Sequence, residues 1–383
     1  MLVRLLLADP RSQRKILNYI PLLFYCQWIV VLGSTSSELQ EDEVAFEEVL
    51  RTEVDRNRKP IPVQPEDVAF ILLSSGTTGK PKIVLHTHRA FVTLLLITDA
   101  KGVSFVMMKD FDAVEFCKAV EKFKVRMITT SPSKIRELIR ISKQGYDVRS
   151  IEWLMAGGTV LSPSLYSHIR SNWTHVQRIH QNYGMTEMLA PLIPDLRNDP
   201  FGSVGHAPPG VEVKVVDANG KILPAGERGE LCIKTPTLMK SYGSSHMEAM
   251  AQTVIDEWLH TGDLGYVSES GCVYPSGRIK ELIKIGEYSA FPMELEDTLI
   301  ADDRIADAAV IGVRVSEDPS DNELPKAFVV KADDSLTEHD VCAIIAENLA
   351  AYKQPRGGVE FLDSIPRTDI GKIDYFALRN RTV

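Results

Sequence analysis

The sequence predicts an α/β protein with a large layered N-terminal domain that carries a small β subdomain, followed by a small α+β C-terminal domain. Three observations lead to this prediction. Short apolar segments alternate with helical patterns in the first half, short strands and turns fill 211–274, and a compact mixed unit follows Arg278. We therefore place the domain boundary at Arg278, which gives domains of residues 1–277 and 278–383.

The first half of the chain alternates between strand and helix patterns. Short runs of apolar residues predict strands, and apolar residues recurring every three or four positions predict amphipathic helices. The predicted strands are 28–32, 68–73, 127–130, 151–156 and 176–179, and the predicted helices are 111–123 and 131–142. Such alternation favours a sheet layered with helices.

Two further patterns of predicted elements follow after residue 210. Strands separated by a tight turn predict the β subdomain, and a mixture of helices and longer strands predicts the α+β unit. The predicted elements are a strand at 211–216, a turn at 217–220, a strand at 229–233, a helix at 292–300, strands at 308–313 and 326–331, and a helix at 337–349. Thr337 and Asp340 have the spacing of a helix N-terminal cap.

Composition limits the classes of protein that this chain can represent. Its 383 residues, 44% of them hydrophobic and 25% charged, are enough for a substantial core and more than one domain. The net charge of −9 is spread along the chain, which argues against nucleic acid as a partner. The five cysteines include no CxxC pair, which argues against a disulfide framework and a zinc site and fits a reducing compartment.

No targeting or membrane segment is evident. The most apolar stretch, 16–33, is interrupted by Asn18, Pro21 and Gln27, so we expect a buried segment and no integral membrane span. A secretory cleavage pattern is lacking, and the last three residues do not look like a peroxisomal signal. The expected location is intracellular, most simply the cytoplasm.

The most informative segment is a loop directly after the predicted strand 68–73. Hydroxyls, glycines and lysines occupy nine consecutive positions: Ser74, Ser75, Gly76, Thr77, Thr78, Gly79, Lys80, Pro81 and Lys82. Glycines expose backbone N–H groups, and hydroxyl and ammonium groups add further donors, so the loop suits a polyphosphate. A Walker P-loop would need glycine at Ser74 and a hydroxyl residue at Pro81. An ordinary Ser/Gly-rich surface turn is the alternative interpretation.

Four motifs downstream of the loop make the nucleotide interpretation specific. They are Gln181-Asn182-Tyr183-Gly184-Met185-Thr186-Glu187, Thr261-Gly262-Asp263, Gly277-Arg278-Ile279-Lys280 and Pro366-Arg367-Thr368-Asp369-Ile370-Gly371-Lys372. Together with the loop, and in this order, they resemble the adenylate-forming superfamily, which contains acyl- and aryl-CoA synthetases, adenylation domains of peptide synthetases and luciferases. The resemblance covers about residues 60 to 380 and implies ATP, Mg²⁺ and CoA as cofactors.

The resemblance implies a role for each motif residue. The loop residues Ser75 to Gly79, together with Lys82, would hold the β- and γ-phosphates, and Ser74 would belong to the same nucleotide-binding loop. Thr186 would contact the α-phosphate, and Glu187 would carry Mg²⁺, a cation that prefers oxygen ligands. The loop containing Gly158 and Thr159, with Asn182, Tyr183 and Gly184, would contact the adenine.

Two charged residues far apart in the sequence could hold the ribose. Asp263 can accept two hydroxyl hydrogen bonds, and Arg278 can donate to the same sugar. Each could equally be a surface ion-pair partner. Tyr183 would stack near the base.

The C-terminal motifs imply catalysis by a mobile domain. By resemblance, Lys372 is the catalytic lysine, whose long side chain bridges the substrate carboxylate and the α-phosphate. In the family the small domain rotates between half-reactions, so Lys280, Lys284 and Gly286 would then shape the channel for the CoA thiol. The alternative for Lys372 is a solvated surface lysine.

The chain also departs from the family pattern. Only 73 residues precede Ser74, few residues separate His88 from Gly102, and Ile83 replaces an expected glycine, which we expect to stiffen the loop. The glycine aligned with Glu287 is shifted by one position. The departures leave two functions open: an ATP-dependent acyl- or aryl-CoA ligase acting on a small carboxylic acid, or a truncated non-catalytic homologue. An adenylation domain that loads a carrier protein ranks below both. The acid and the oligomeric state are not predicted.

Overall fold

The computed structural model confirms the predicted α/β class. It describes residues 5–8, 28–31, 43–45, 48, 51, 62–74, 82–97, 104–108, 111–189, 192, 200–243, 247–314, 323–368 and 372–381. Within them the strands up to residue 182 are β1 Leu5–Ala8, β2 Trp28–Val31, β3 Glu43–Ala45, β4 Val68–Ser74, β5 Lys82–Thr87, β6 Met127–Thr130, β7 Trp153–Gly157 and β8 Arg178–Asn182. The helices of this part are α1 His88–Ile97, α2 Ala113–Phe123, α3 Pro132–Ser142 and α4 Pro163–Asn172.

Parallel strands and helices form the layered part of the N-terminal domain. Strands β6, β7 and β8 are parallel neighbours, and Met127 pairs with Trp153, which pairs with Arg178. Helices α2, α3 and α4 bury apolar residues in the same core as these strands, including Ile135, Leu154 and Ile169. Parallel strands end at one edge of a sheet, so β7 and β8 present residues after Gly157 and Asn182 on the same side.

The β subdomain and the C-terminal unit complete the described elements. The strands are β9 Glu212–Val216, β10 Gly229–Lys234, β11 Ser241–Tyr242, β12 Val254–Ile255, β13 Trp258–Val267, β14 Val273–Arg278, β15 Ile283–Ile285, β16 Tyr288–Ala290, β17 Ile305–Arg314, β18 Glu323–Lys331 and β19 Val359–Phe361. The helices are α5 Met247–Thr253, α6 Pro292–Ile300, α7 Glu338–Asn348 and α8 Tyr375–Asn380, with short 3-10 helices at Ile279–Glu281 and Ala351–Lys353.

Strand β13 organises the subdomain. It pairs antiparallel with β10 on one side and lies beside β12 and β14, and β9 continues the sheet beyond β10. Asp263 of β13 is the register partner of Arg278 of β14. Strand β11 is not part of this sheet. It pairs with β5 of the N-terminal part, where Tyr242 is the register partner of Val84.

The C-terminal unit is built on the antiparallel pair β17 and β18, with β19 parallel to β18. Helices α6 and α7 bury Leu295, Leu299 and Ile345 against one face of these strands. On the other face, Phe328 and Leu378 lie in a second buried cluster. Ser164 of α4 donates a hydrogen bond to Asp297 of α6, which joins the two domains. The boundary at Arg278 itself stays a prediction.

Most predicted bounds differ from the observed ones by a few residues. The helix predicted from residue 111 begins at Ala113, because Asp112 caps it by accepting a hydrogen bond from Glu115 N. The strand predicted at 176–179 is Arg178–Asn182. Val176 packs in the buried core, and hydrogen-bonded pairing with β7 begins only at Arg178. Thr337 and Asp340 form the predicted cap, each side chain bonding to the other's backbone.

The buried carboxyl group of Glu296 binds Tyr375, in the segment that follows Lys372. Glu296 of α6 accepts hydrogen bonds from Val310 N at 2.9 Å and from the Tyr375 hydroxyl at 3.0 Å. Burial raises the pKa of Glu296 to about 8 from its usual 4.5. The group is therefore protonated in the folded protein at neutral pH, whereas it ionises near pH 4.5 in the unfolded chain.

The raised pKa of Glu296 predicts a pH-dependent loss of stability. The folded state binds more protons than the unfolded state between the two pKa values, so stability falls as pH rises through this window. In wild type the free energy of unfolding should fall between about pH 5 and about pH 9. In Glu296→Gln, whose side chain stays neutral, we expect this fall to be smaller by roughly 2–4 kcal/mol. Urea unfolding at a series of pH values measures it. Glu269→Gln, at an exposed position, is the matched control, and equal pH slopes in wild type and both variants would contradict the prediction.

Candidate functional site

The two ends of the predicted phosphate loop lie side by side. Strand β4 ends at Ser74 and β5 begins at Lys82, and these two residues are register partners in the antiparallel pair. The predicted ligands Ser75, Gly76, Thr77, Thr78 and Gly79 lie outside the described residues. Their assignment to phosphate therefore stays a prediction, while the strands on both sides fix where the loop starts and ends.

Lys82 and Glu187 are joined through a tyrosine that no motif indicated. The Tyr242 hydroxyl donates to Glu187 Oε1 at 2.9 Å, and Lys82 Nζ lies 5.0 Å from the centre of the Tyr242 ring. Glu187 is buried, so this hydrogen bond fixes the direction of its carboxylate. The carboxylate oxygens have the donor chemistry that Mg²⁺ requires, so Glu187 fits the predicted metal role.

The backbone of the Thr186–Glu187 segment is held from two sides. His86 Nε2, on β5, lies 2.6 Å from the carbonyl oxygen of Thr186. The Met239 N–H donates to the carbonyl oxygen of Glu187 at 2.7 Å. Burial lowers the pKa of His86, which favours a neutral ring that donates from Nε2. Strand β5 therefore supplies both Lys82 and the support for the residue predicted to face the α-phosphate.

Asp263 is the centre of a second group of side chains. Arg278 Nε lies 2.7 Å from Asp263 Oδ1, and the Tyr183 hydroxyl donates to Asp263 Oδ2 at 2.6 Å. Burial raises the pKa of Asp263, while the neighbouring guanidinium and phenol oppose that shift. Asp263 and Arg278 thus form an ion pair in the structure, and their binding of one ribose stays a prediction. Tyr183 lies beside them through its hydroxyl, and stacking of its ring on a base stays a prediction.

Lys372 lies in the same region although it comes from the C-terminal domain. A Cβ built on Gly158, whose φ is +92°, would lie 3.6 Å from Lys372 Cε. The pKa of Lys372 is lowered by burial and by the charge of Arg278, and Glu281 and Asp263 oppose that effect. The structure therefore brings the predicted catalytic lysine next to the predicted adenine loop and ribose carboxylate.

The remaining predicted nucleotide contacts lie at the carboxyl edge of the parallel strands. Gly158 and Thr159 follow β7, Asn182 ends β8, and Gly184 comes two residues later. Gly158, Thr159 and Gly184 are exposed and Asn182 is partly buried. Ligands of α/β proteins bind outside this edge of the sheet, which agrees with the predicted role.

The residues predicted to act with CoA lie on the segment between β14 and α6. Lys280 is in the 3-10 helix Ile279–Glu281, and Lys284 is in β15; both are exposed. Gly286 forms the tight turn of the β15–β16 hairpin with φ +64°, a conformation that favours glycine. The shifted glycine of the sequence is thus used to close this hairpin. The proposed CoA role of these residues stays a prediction.

The structure also accounts for Ile83, which the sequence indicated as a departure. Ile83 is buried, and a Cβ built on Gly243 would lie 3.0 Å from Ile83 Cβ. The Gly243 N–H donates to the Ile83 carbonyl oxygen at 2.9 Å. A side chain at Gly243 would crowd this contact, so the glycine provides the room that the isoleucine needs.

Three residues of the site were missed by sequence reasoning. Tyr242 and His86 support Glu187 and Thr186, and Glu281 is a partly buried acid whose charge acts on Lys372. Burial raises the pKa of Glu281. Glu281 directly follows the Gly277–Lys280 motif, and its position beside this motif is the sequence feature that could have indicated it as a site residue. Tyr242 and His86 become recognisable only through the pairing of β5 with β11.

No helix among the described residues has both the length and the apolar character needed to cross a bilayer. Most of the apolar stretch 16–33 lies outside the described residues, so its interpretation stays a prediction.

Comparison with known proteins identifies relatives along most of the chain. A putative acyl-CoA ligase of Bacillus subtilis is 34% identical over 357 residues, which are 84% of this chain and 69% of the relative. The 4-coumarate-CoA ligase-like 2 of Arabidopsis thaliana is 32% identical over 86% of this chain and 64% of its own length. The chain thus spans about two thirds of these relatives.

Solved structures have the same fold. The anthranilate CoA ligase AuaEII in complex with anthranoyl-AMP superimposes with a TM-score of 0.83 at 26% identity, over 99% of this chain and 78% of that one. The ATP-bound MatB of Rhodopseudomonas palustris gives a TM-score of 0.79 at 24% identity, over 99% of this chain and 79% of that one. The second comparison concerns the fold alone.

Family models match both domains. The model described as AMP-binding enzyme matches residues 25–100 and 93–243, and the model of the AMP-binding enzyme C-terminal domain matches 294–372. These matches cover more than half of the chain and include Lys82, Glu187 and Lys372. The chain belongs to the AMP-binding enzyme family, the adenylate-forming superfamily that its motifs resemble.

Proposed function

We propose that this protein is an ATP-dependent ligase that activates a carboxylic acid as an acyl-adenylate and then transfers the acyl group to the thiol of CoA. The observation that carries the proposal is the position of Lys372. This lysine belongs to the C-terminal domain, yet its side chain lies beside Gly158 and acts electrostatically on the Asp263–Arg278 pair.

Adenylation requires that an anionic carboxylate attack the anionic α-phosphate of ATP. The site must therefore neutralise the reacting oxygens and hold the pyrophosphate while it leaves. Lys372 supplies a cation on a long side chain at the position where the C-terminal domain meets the adenine loop. We assign to it the bridging of carboxylate and α-phosphate as charge develops.

The residues on β5 and the Thr186–Glu187 segment would face the phosphates. Lys82 would hold the β- and γ-phosphates together with the loop before it, and Thr186 would contact the α-phosphate. Glu187, directed by Tyr242, is the residue that would hold Mg²⁺. When bound, Mg²⁺ would neutralise charge on the phosphate oxygens.

The Asp263–Arg278 pair would hold the ribose. A buried carboxylate with one guanidinium and one phenol as partners keeps acceptor capacity for sugar hydroxyls. Because Tyr183 and Arg278 approach different oxygens of Asp263, the orientation of the carboxylate is set before the nucleotide arrives.

Transfer to CoA is supported by the names of the relatives, which are acyl-CoA and 4-coumarate-CoA ligases. Lys280, Lys284 and Gly286 are the residues that we assign to this second half-reaction. The names of the relatives support a small carboxylic acid, aryl or aliphatic, as the substrate that we propose.

A non-catalytic homologue is the second candidate. The observation that favours it is the short spacing between His88 and Gly102, which departs from the family pattern inside the chain. The retained charged residues at both ends of the site favour the ligase.

The proposal predicts ATP–pyrophosphate exchange that depends on Lys372 and Glu187. We expect the purified protein to catalyse exchange with members of a panel of aliphatic and aryl acids. Lys372→Ala should reduce the rate by roughly 10²–10³-fold, because a charge that stabilises the transition state is lost. Glu187→Ala should abolish magnesium-dependent exchange. The assay follows labelled pyrophosphate incorporated into ATP.

Lys118→Ala is the matched control for this assay, because Lys118 is an exposed lysine paired with Glu115. It should exchange at the wild-type rate. If the folded wild-type protein binds ATP but exchanges no pyrophosphate with any acid, the ligase proposal is wrong and the protein is a non-catalytic homologue.

The lowered pKa of Lys372 predicts an alkaline limit to activity. The lysine must be protonated to bridge two anions, so kcat/KM should fall as pH rises through the pKa of Lys372 in the free enzyme. That pKa lies below the usual 10.5, because burial and Arg278 disfavour the charged form. Measurement of exchange against pH should give an alkaline limb with an apparent pKa below 10.5. Lys372→Arg, which stays charged, should lose this limb, and an unchanged limb would contradict the assignment.

A further inference from the structure

Three side chains with metal-binding chemistry converge on strands β10 and β13. Glu230 Oε2 lies 2.8 Å from His260 Nδ1, and Cys232 Sγ lies 3.5 Å from the same nitrogen. All three donor atoms lie within 4.8 Å of one another. The register of the two strands pairs Cys232 with His260 directly, so the convergence is set by the sheet and not by a loop.

The spacing of these atoms is close to that of a tetrahedral zinc site. Zinc binds sulfur at about 2.3 Å and imidazole nitrogen at about 2.0–2.1 Å, which separates two such ligand atoms by about 3.5 Å in a tetrahedron. The distance from Cys232 Sγ to His260 Nδ1 has this value. The separation of His260 Nδ1 from Glu230 Oε2 would need to widen by only about half an ångström.

A neighbouring backbone group already orients the carboxylate. The Gly262 N–H donates to Glu230 Oε1 at 3.0 Å, so the other oxygen, Oε2, is the one that faces His260. Hydrogen bonds of this kind typically orient the ligands of metal sites. Cys232 is fully buried, whereas the His260 and Glu230 side chains are 23% and 22% exposed. Solvent can therefore reach the cluster from the His260 side and provide a fourth ligand.

We propose that Glu230, Cys232 and His260 bind a zinc-class divalent cation, with water as the fourth ligand. A thiolate, an imidazole and a carboxylate form a donor set that suits Zn²⁺ better than Mg²⁺ or Ca²⁺, which prefer oxygen alone. The site is separate from Glu187. It lies next to Thr261–Asp263 in the middle of β13, so a bound cation would anchor the part of the strand that carries Asp263.

The chain contains its own control for this proposal. Cys272 Sγ lies 3.2 Å from His206 Nε2, which reproduces the thiol–imidazole pair. Among the described residues, however, only Glu230, Cys232 and His260 form a group of three such donors within this distance. A substitution in the Cys272–His206 pair therefore tests whether cobalt binding requires three ligands or only a thiol–imidazole contact.

Cobalt(II) added to the purified full chain tests the proposal without any assay of ligase activity. We expect a thiolate-to-cobalt charge-transfer absorption in the near ultraviolet at one equivalent, displaced by Zn²⁺. Cys232→Ser should lose the band and His260→Gln should lose or greatly weaken it, while Cys272→Ser should retain it. Zn²⁺ should also raise the Tm of wild type and Cys272→Ser but not that of Cys232→Ser.

Two results would overturn the proposal. One is the absence of a thiolate–cobalt band in the folded wild-type protein at excess cobalt. The other is a band that survives both Cys232→Ser and His260→Gln, which would assign the binding to another cysteine. If Cys232→Ser does not fold, His260→Gln decides alone, because it removes a ligand and leaves the thiol in place. Neither result bears on pyrophosphate exchange, so this inference and the proposed ligase activity fail independently.

Discussion

The buried charge of Asp263 is the constraint on which the arrangement of the site depends. An ionised carboxylate with little exposure is costly unless charged and hydrogen-bonding partners surround it. Its partners come from three separate segments: Tyr183 after β8, Arg278 at the end of β14, and Lys372 through its charge. The need to compensate one carboxylate thus gathers the layered sheet, the β subdomain and the C-terminal domain at a single point.

Glu187 follows the same rule on the phosphate side. Its carboxylate is buried, and Tyr242 donates to it while Lys82 lies over the tyrosine ring. Strand β11, which carries Tyr242, pairs with β5, which carries Lys82. The pairing of these two strands therefore sets the distance between the predicted metal ligand and the predicted phosphate lysine. In the proposed function the two acidic residues divide the site: Glu187 would face the phosphates and Asp263 would face the sugar.

The sequence predicted the parts of the site that occur in ordered motifs, and it predicted most elements to within a few residues. Asp263 and Arg278 were assigned to one sugar because their motifs resemble those of the family and because an acid and a guanidinium can both bond to sugar hydroxyls. Tyr242 could not be found in this way, since nothing near it in the sequence relates it to Glu187. The Glu230–Cys232–His260 cluster was missed for the same reason. Spacing rules for metal sites use short separations, whereas Cys232 and His260 meet only through the register of β10 and β13.

The end of α1 and the charged site differ in how well their apolar side chains are buried. The two segments that match the AMP-binding model meet at 93–100, where α1 ends. On this helix Val92 and Leu96 are more than half exposed, an unusual position for large apolar side chains of neighbouring turns. Asp263, Glu187 and Lys372 instead lie on elements whose cores are closed by Leu231, Met188 and Leu378. The exposed apolar side chains therefore lie on α1, while Asp263 and Glu187 keep the partners that orient them.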